Sequence, residues 1–249
     1  MQRQDAEINL LATGDLAPFV GRNLPQMGLF PELVTTALDQ SPSPVSHAVS
    51  ISTDRAEQIA LLGSAEVDMG FPHARPDCAA APETRLCRGF HFSDPLMDVP
   101  MMLFVRADRQ FAYEADTDLH GKTLCRPEGV FTHDLDEGWR RWIADGKITL
   151  VTAPDVTGCF DKVVAGEVDA VSVDLFVGGS ALLENGWREQ VVPLERPVSL
   201  VGLHVIISKS HWRGTTHLYR LNAGIARLKQ EGRYEEIVSR HLALLASQL

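Results

Sequence analysis

The stretch GEVDAVSVDLF, residues 166–176, guides the interpretation of the whole sequence. Apolar side chains recur from Val168 to Val173, which is typical of a β-strand, and the run ends on the carboxylate of Asp174. An apolar strand that ends on an acid has two interpretations. Either the side chain of Asp174 caps a following helix, or the strand holds this carboxylate at its tip to meet a ligand.

Strand and helix patterns alternate along almost the whole chain, which predicts an α/β protein with parallel sheets covered by helices. The predicted strands are residues 8–13, 45–52, 66–71, 99–106, 121–127, 147–153, 168–173 and 202–210. The predicted helices are residues 30–40, 54–64, 134–146 and 155–166, followed by two amphipathic helices around Gly232. The third of these helices is expected to have one apolar face, formed by Leu135, Trp139, Trp142 and Ile143.

Length and charge limit the possible classes of protein. The 249 residues are enough for one large domain or for two lobes. The net charge of -10 argues against nucleic acid or an anionic membrane as a partner, because both attract a basic surface. The start, MQRQDAEINL, lacks the apolar core of a signal peptide, so we expect either a cytosolic chain or a mature form without its leader.

The four cysteines, Cys78, Cys87, Cys125 and Cys159, form no CxxC pair, which disfavours zinc-ribbon or thioredoxin chemistry. Their even number is compatible with two disulfides in an oxidising compartment, with three pairings open, or with four reduced, buried thiols. A zinc site formed by the first two cysteines and neighbouring histidines would match no common ligand spacing.

Common catalytic signatures are missing from the sequence. The chain contains no GxGxxG, GxxxxGK(S/T), HExxH or GxSxG motif, and its nine histidines have no identifiable nucleophilic partner. We therefore predict no catalytic residue, no metal and no cofactor.

Ligands of parallel α/β sheets bind outside the carboxyl ends of the strands. The segments expected at such ends are Asp15–Phe19, Gly70–Arg75, Arg126–Thr132 and Asp174. Two of them come from the first half of the chain and two from the second. This distribution predicts a ligand cleft between two lobes.

Seven segments, in this order, carry a family resemblance: INLLATGDLAPF, MGLFPELVTTAL, GSAEVDMGF, FHFSDPLMDV, LHGKTLCRPEGVF, AGEVDAVSVD and LKQEGRYEEIVSRHL. Together they span nearly the whole chain, and the sequence resembles the family 3 extracellular solute-binding proteins. These are the periplasmic receptors of polar amino acid ABC importers. FSDP and GEVDA are weak signals alone, so the order of all seven segments carries the resemblance.

The resemblance implies a type II periplasmic-binding-protein fold, in which two α/β lobes joined by two hinge strands close over a ligand. Lobe 1 would be residues 1–104 plus 206–249, and lobe 2 would be the inserted residues 105–205. The hinge strands would be MMLFVRA, residues 101–107, and LHVIISK, residues 203–209.

The resemblance also implies a periplasmic chain, which favours disulfides over reduced thiols. The implied partners are a small-molecule ligand and the membrane permease of an ABC transporter. The protein would act as a monomer and without a cofactor.

In this family, an acid of lobe 2 pairs with the ligand ammonium group, and it corresponds here to Asp174. A loop of the same lobe offers backbone N–H groups to the ligand carboxylate, and it corresponds to Gly129, Val130, Phe131 and Thr132. Val130 and Phe131 replace the usual hydroxyl residues, so the resemblance implies only the backbone contacts.

The arginine that binds the ligand carboxylate is less clear, because the family supplies it from a Thr-x-x-Arg motif before FSDP. Arg85 lies one residue further from Phe92 than the motif requires, and a disulfide loop would surround it. Arg75 is the alternative in lobe 1. In lobe 2, Arg126 would add positive charge or else be a surface arginine.

The aromatic residue that often stacks on the ligand is also missing, because Leu16 occupies its position. Phe19 is the nearest ring, and Asp15 lies in the same segment. Phe71 and His73 would line the site, or else be a core phenylalanine and a solvated histidine.

Three functions are compatible with these features. We predict the first, a solute receptor of an ABC importer that performs no chemistry. The second is an enzyme on the same scaffold, similar to cyclohexadienyl dehydratases, with His73, His133 or Asp15 as the general acid. The third is a sensor or accessory protein that binds a ligand or a partner protein and serves no transporter.

Overall fold

The computed structural model describes residues 6–14, 16–136 and 139–246. The chain forms two compact units. Unit 1 comprises the described residues of Met1–Cys78, Pro82–Asp98 and Gly202–Leu249, and unit 2 comprises those of Ala79–Ala81 and Val99–Val201. At residues 98–99 and 201–202 the chain passes from one unit to the other, in each case within a long strand, Met97–Arg106 and Ser199–Ser208.

The strands of unit 1 are β1 (Ile8–Thr13), β2 (His47–Ser52), β3 (Met69–Ala74), β4 (Phe90–Phe92) and β10 (Ser199–Ser208). They follow the order β2-β1-β3-β10, and β4 also pairs with β10. β1 is parallel to β2 and β3, whereas β10 is antiparallel to β3 and β4. All six residues of β1 are buried, as expected for a parallel strand covered on both faces.

The helices of unit 1 are α1 (Leu29–Asp39), α2 (Arg55–Gly63), α3 (Arg85–Gly89), α7 (Gly214–Gln230) and α8 (Arg233–Ala246), with a short 3-10 helix at Pro25–Met27. α2 begins as predicted, where the Asp54 carboxylate accepts the amide N–H of Glu57 at 3.0 Å. Gly224 allows α7 to approach α1 closely, because a Cβ atom there would overlap the carbonyl group of Ala37.

The strands of unit 2 are β5 (Met97–Arg106), β6 (Thr123–Pro127), β7 (Thr149–Ala153), β8 (Ala170–Asp174) and β9 (Val191–Pro193). They follow the order β5-β8-β6-β7, and β9 pairs with β5. β6 is parallel to β7 and β8, so the carboxyl ends of these three strands lie at one edge of the sheet.

The helices of unit 2 are α4 (His133–Asp136), α5 (Val156–Ala165) and α6 (Leu175–Glu184), with 3-10 helices at Ala107–Arg109 and Asp116–Leu119. The predicted limits of α5 are confirmed. The Asp155 side chain accepts the Gly158 amide N–H at 2.8 Å, and the helix ends at Gly166, whose φ of 76° is in the left-handed region.

Two disulfides are present, Cys78–Cys87 and Cys125–Cys159, each with a Cα–Cα distance of 5.5 Å. They confirm the predicted disulfides and exclude both reduced thiols and a zinc site that uses Cys78 and Cys87. Cys87 lies on α3 of unit 1. In unit 2 the second bridge joins β6 to α5, and both of its sulfur-bearing residues are fully buried.

The helix predicted over residues 134–146 is wrong, because α4 ends at Asp136. One oxygen of the Asp136 carboxylate accepts the amide N–H groups of Ile143 and Ala144, at 3.0 and 2.9 Å, and closes the segment into a compact turn. The expected apolar face does not form, since the Trp139 side chain is 76% exposed.

The remaining predicted strands and helices are confirmed, with shifted ends. The largest shift concerns β3, predicted at residues 66–71 and observed at Met69–Ala74. This strand continues through Pro72, which lies beyond the residues that pair with β1 and coincides with the register shift of the β3–β10 ladder, between the pairs His73–His204 and Gly70–Ile206. Among the described residues, no helix has the length and apolar character needed to cross a membrane.

Candidate functional site

The carboxyl edge of the unit 2 sheet brings together two of the predicted segments. Asp174 is the last residue of β8, and the loop from Gly129 to Thr132 follows the adjacent parallel strand β6. Ligands of open parallel sheets bind at this edge. It is therefore the candidate ligand-binding site of unit 2.

Asp174 is the N-cap of α6, so the first interpretation of the opening stretch is confirmed. Its Oδ1 atom accepts the amide N–H groups of Phe176 and Val177, at 3.1 and 2.9 Å. Its Oδ2 atom accepts no hydrogen bond from the residues that the structure describes. One oxygen thus caps the helix, and the other is available to a ligand.

Burial raises the pKa of Asp174 from its ordinary value of 3.8 to about 6, although the two amide hydrogen bonds oppose the shift. No charged side chain contributes to this shift among the groups described. The carboxylate therefore lies in an environment that disfavours its negative charge. A cation next to Oδ2 would remove this cost.

The loop after β6 exposes backbone donors. Gly129 has a φ of 74°, and the Val130 amide closes a turn by donating to the Pro127 carbonyl at 3.2 Å. In the described part of the chain, the amide N–H groups of Phe131 and Thr132 donate no hydrogen bond. Two neighbouring N–H groups of this kind can bind one anionic oxygen.

Both interpretations of Arg126 from the sequence are wrong, because this arginine is neither a surface residue nor available to a ligand. Its side chain is 1% exposed. All five of its N–H groups are used: Nε and Nη2 bond to Ser172, Nη1 to the Phe131 carbonyl, and Nη1 and Nη2 to the Asp134 carboxylate. Arg126 therefore supports the loop from within.

Asp134 is the counter-charge of Arg126. The Nη–Oδ distances are 2.6 and 2.7 Å, and the Ser199 hydroxyl donates to Asp134 Oδ2 at 2.8 Å. Burial alone would raise the pKa of this carboxyl, but the hydrogen bonds and charge of Arg126 lower it overall. The network fixes the carbonyl of Phe131 and hence the direction of its loop.

In unit 1, two predicted ligand-lining rings lie in the core. Phe19 and Phe71 are fully buried, and Phe19 stacks on Phe30 with a centroid distance of 4.6 Å. The alternative interpretation of Phe71, as a core residue, fits its burial. His73 is partly buried on β3 opposite His204, and Asp15 lies outside the described residues.

The two candidate arginines of unit 1 are both exposed. Arg75 follows the last residue of β3, and Arg85 is the first residue of α3. α3 is capped by Thr84, whose hydroxyl accepts the Cys87 amide at 3.4 Å.

Sequence reasoning did not identify the contacts that Arg75, Phe92 and His204 make in unit 1. Phe92 belongs to the FSDP segment, and its ring lies edge-on to His204 with a centroid distance of 5.9 Å. The guanidinium carbon of Arg75 lies over the same ring, 5.6 Å from its centroid. The pairing of β3 and of β4 with β10 brings these distant segments together.

Asp68, His211 and His217 in unit 1 could be taken for a metal site, since one ligand atom of each lies within 4.8 Å of the others. The hydrogen bonds argue against it. The Nδ1 atoms of His211 and His217 accept from the Arg213 amide and the Arg220 guanidinium, at 3.1 and 3.0 Å. A metal on the Nε2 atoms would leave both rings without a proton.

The same cluster is better described as a buried hydrogen-bond network. His211 Nε2 bonds to Asp68 Oδ1 at 2.8 Å. Burial, followed by the charges of His211, Arg213 and Arg220, lowers the pKa of His217 to about 4, so this ring is neutral at pH 7.

No protein-family model matches the chain, and no curated protein matches its sequence. Solved structures match over nearly the whole length. A histidine kinase sensor domain with similarity to periplasmic binding proteins is 22% identical, with a TM-score of 0.73, over 94% of this chain and 95% of that one.

Two further structures are ligand-bound. An amino acid ABC transporter substrate-binding protein from Streptococcus pneumoniae, bound to L-arginine, is 17% identical with a TM-score of 0.68, over 96% of this chain and 95% of that one. The GluR0 ligand-binding core from Nostoc punctiforme, in complex with L-glutamate, is 17% identical with a TM-score of 0.68, over 93% of this chain and 97% of that one.

At these identities the similarity shows the fold. The α/β periplasmic-binding-protein fold predicted from the sequence is confirmed. The amino-acid-binding proteins that the sequence resembles have the same fold.

Proposed function

We propose that this protein is a family 3 solute-binding protein that binds a small polar solute with an amine and a carboxylate, as in an amino acid. The observation that carries the proposal is the state of Asp174. Its Oδ1 atom is held by two amides of α6, its Oδ2 atom is open, and burial raises its pKa to about 6. A ligand ammonium would supply the missing cation and form a charge-assisted hydrogen bond.

The loop after β6 would bind the ligand carboxylate. The amides of Phe131 and Thr132 have no acceptor among the described residues, and Gly129 and Val130 shape the turn that presents them. In unit 1, Arg75 and Arg85 are the candidate charged partners, and His73 is a further contact. Phe19 and Phe71 would support the site from the core.

Binding would be followed by hinged closure about β5 and β10, the strands in which the chain passes between its units. The proposed location is the periplasm, and the proposed partner is the permease of an ABC importer. The two disulfides are consistent with an oxidising compartment. The protein would act as a monomer and as a receptor, with no chemistry on its ligand.

The identity of the solute is left open by the related structures, since one holds L-arginine and another L-glutamate. The same fold therefore serves solutes of opposite side-chain charge. A sensor role is the second candidate, because a histidine kinase sensor domain is among the similar structures. Both candidates require a ligand, so ligand binding is tested first.

A thermal-shift screen of the oxidised protein tests the proposal. The panel contains the L-amino acids, their decarboxylated amines and amine-free carboxylic acids. A ligand at about 100 times its dissociation constant should stabilise the protein by roughly 2.7 kcal/mol, which raises the Tm clearly. Stabilisation by amino acids alone supports the proposal, and a panel without any such hit would refute it.

The receptor and the sensor differ in what the bound protein does next. A receptor loaded with its solute should stimulate ATP hydrolysis by an importer reconstituted in liposomes. A sensor domain should not do so with any importer from the same cell.

A further inference from the structure

A cavity of about 110 Å³ lies in unit 2 where β5 ends, β6 begins and α5 turns into β8. β8 runs from Ala170 at this end to Asp174 at the other, and its five residues span roughly 13 Å. The volume is several times what one water molecule requires. The cavity is therefore separate from the candidate ligand-binding site and has room for a small ion with water.

Two guanidinium groups approach the same point of the cavity wall. A Cβ atom at Gly166 would lie 3.1 Å from Nη1 of Arg109 and 3.4 Å from Nη1 of Arg106. Gly166 ends α5 with a φ of 76°, a conformation that favours glycine, so the space beside both arginines stays open. Like charges at this separation repel each other, and an anion in contact with both would relieve the repulsion.

Arg106 is held in place by hydrogen bonds. Its Nε and Nη2 atoms donate to the two carboxylate oxygens of Asp108, at 2.9 and 2.7 Å, and its Nη1 atom donates to the Val164 carbonyl at 3.2 Å. A guanidinium carries five N–H groups, so these bonds leave two of them for a ligand. Arg106 is therefore a donor whose position is set before any anion binds.

Arg109 carries the charge that lacks a counter-ion. Its side chain is exposed and makes no hydrogen bond or ion pair with the residues that the structure describes. The neighbouring carboxylate, Asp108, already accepts hydrogen bonds from Arg106 on both oxygens.

The two carboxylates in the cavity wall have cations of their own. Glu167 Oε2 lies 3.2 Å from Nζ of Lys162. Asp169 Oδ1 lies 3.7 Å from Nζ of Lys122, and its Oδ2 atom accepts the Thr123 amide at 2.7 Å. Among the described residues of the wall, the charge of Arg109 is thus the one left to a ligand.

The hydroxyl of Thr123 is a third donor in the wall. It makes no hydrogen bond within the described part of the chain, whereas the backbone of the same residue is fixed in β6. Donors from three separate segments suit an ion with more than two oxygens, such as phosphate or sulfate, better than a planar carboxylate. A neighbouring cavity that shares Arg106 is lined by Asp108 and Glu189, which disfavours a larger anion that extends into it.

We propose that this cavity binds a free tetrahedral oxyanion, phosphate or sulfate, through Arg106, Arg109 and Thr123. The site goes beyond the proposed function, because it lies at the other edge of the sheet and does not depend on the solute. A bound ion would offset the repulsion between the guanidinium groups and would tie the end of α5 to β5 and β6.

The test uses the intact, oxidised protein labelled with ¹⁵N-arginine and freed of phosphate and sulfate. The Nε–H resonances of Arg106 and Arg109 are followed by NMR and assigned by replacing each arginine with lysine. Phosphate, sulfate, acetate and glycerol 3-phosphate are titrated separately, and sodium chloride keeps the ionic strength constant. Arg227 is the control in unit 1, where it is exposed and paired with Glu231.

Phosphate and sulfate should shift the Arg106 and Arg109 resonances along saturating curves and leave that of Arg227 unchanged. Arg109→Gln should weaken phosphate binding at least roughly tenfold, as read at Arg106. Thr123→Val keeps the shape of the side chain without its hydroxyl and should weaken binding roughly two- to ten-fold. Arg227→Gln removes the same charge as Arg109→Gln and should leave the curve as in the parent.

The inference is overturned if Arg106 and Arg109 respond to phosphate no more than Arg227 does, or if Arg109→Gln binds phosphate as Arg227→Gln does. Acetate binding as tightly as phosphate would refute the tetrahedral ion. Tighter binding of glycerol 3-phosphate would assign the cavity to a phosphate ester and would refute the free ion. If Thr123→Val fails to fold, the comparison of Arg109→Gln with Arg227→Gln still decides.

Discussion

Arg126 and Asp134 form a two-point ion pair inside unit 2, with Nη–Oδ distances of 2.6 and 2.7 Å and side chains that are 1% and 4% exposed. The pair joins β6 to α4 and encloses the loop whose amides are proposed to bind the solute. Its role is structural, because the same guanidinium also holds the carbonyl of Phe131. The loop is thus oriented before any ligand is present.

Asp134→Asn should destabilise the protein by about 3–5 kcal/mol, because it leaves the charge of Arg126 buried and uncompensated. Urea unfolding of the oxidised protein measures the loss. The matched control is Arg141→Ala, which removes an exposed ion pair with Asp145 and should cost less than about 1 kcal/mol. Equal losses in the two variants would contradict this account of the network.

The Arg126–Asp134 pair also predicts an acid sensitivity. The pKa of Asp134 in the folded protein lies below its ordinary value of 3.8, so the unfolded chain binds this proton more tightly. The stabilisation is therefore complete above pH 3.8 and is lost as the pH falls further. Urea midpoints of the parent should drop below that pH, whereas those of Asp134→Asn should lack this component of the drop.

Two adjacent glycines of α6 should respond oppositely to alanine. A Cβ atom at Gly178 would overlap the buried ring of Phe104, whereas nothing lies within 4 Å of one at Gly179. Gly178→Ala should therefore destabilise the protein by about 1–3 kcal/mol through overpacking, and Gly179→Ala should stabilise it by up to about 1 kcal/mol through helix propensity. Urea unfolding checks both, and a stabilising Gly178→Ala would contradict the packing of α6 on β5.

The two disulfides should contribute unequally to stability. Removing Cys125–Cys159 by paired alanine substitution should cost about 3.8 kcal/mol, and removing Cys78–Cys87 about 2.7 kcal/mol, for loops of about 35 and 10 residues in the chain-entropy model. Unfolding without reductant measures both. A larger loss from the shorter loop would show that local packing, and not loop length, determines the order.

Asp174→Asn should stabilise the ligand-free protein at alkaline pH. Asparagine retains the Oδ1 cap of α6 but removes a charge whose burial costs up to about 3 kcal/mol, the equivalent of a pKa raised from 3.8 to about 6. Because the folded pKa is the higher one, the parent gains relative stability as the pH falls through 6. The difference between the two proteins should disappear near pH 4.

Asp174→Ala is the matched control for that experiment, since it removes both the charge and the cap. It should be less stable than Asp174→Asn by about 1 kcal/mol at every pH. If Asp174→Asn were no more stable than the parent at pH 8, the charge would not destabilise the fold, and if it were only as stable as Asp174→Ala, the Oδ1 cap would not be retained.

The elements predicted from periodicity and capping residues were largely correct because their signals are local. β1 is mainly apolar and is buried throughout, α2 and α5 carry aspartate caps, and Gly166 ends its helix. The helix over residues 134–146 failed because Asp136 bonds to amides seven and eight residues away, which an apolar pattern does not reveal.

The site was less accessible to sequence reasoning because its geometry depends on distant partners. The two roles of Asp174 were visible, since a strand tip and a helix start coincide there. The burial of Arg126 depends on Asp134 and Ser172, and the contact of Arg75 with Phe92 depends on a strand more than a hundred residues further along the chain. Neither set of contacts leaves a recognisable pattern in the sequence around these arginines.

The central claim is that the open oxygen of Asp174 binds a solute ammonium group. Isothermal titration at pH 7.5 should compare the parent protein with Asp174→Asn, using the amino acid that gives the largest thermal shift. The account predicts that the substitution weakens binding at least about tenfold, equivalent to 1.4 kcal/mol, while the ligand-free protein becomes more stable. Unchanged affinity in a folded Asp174→Asn protein would contradict it.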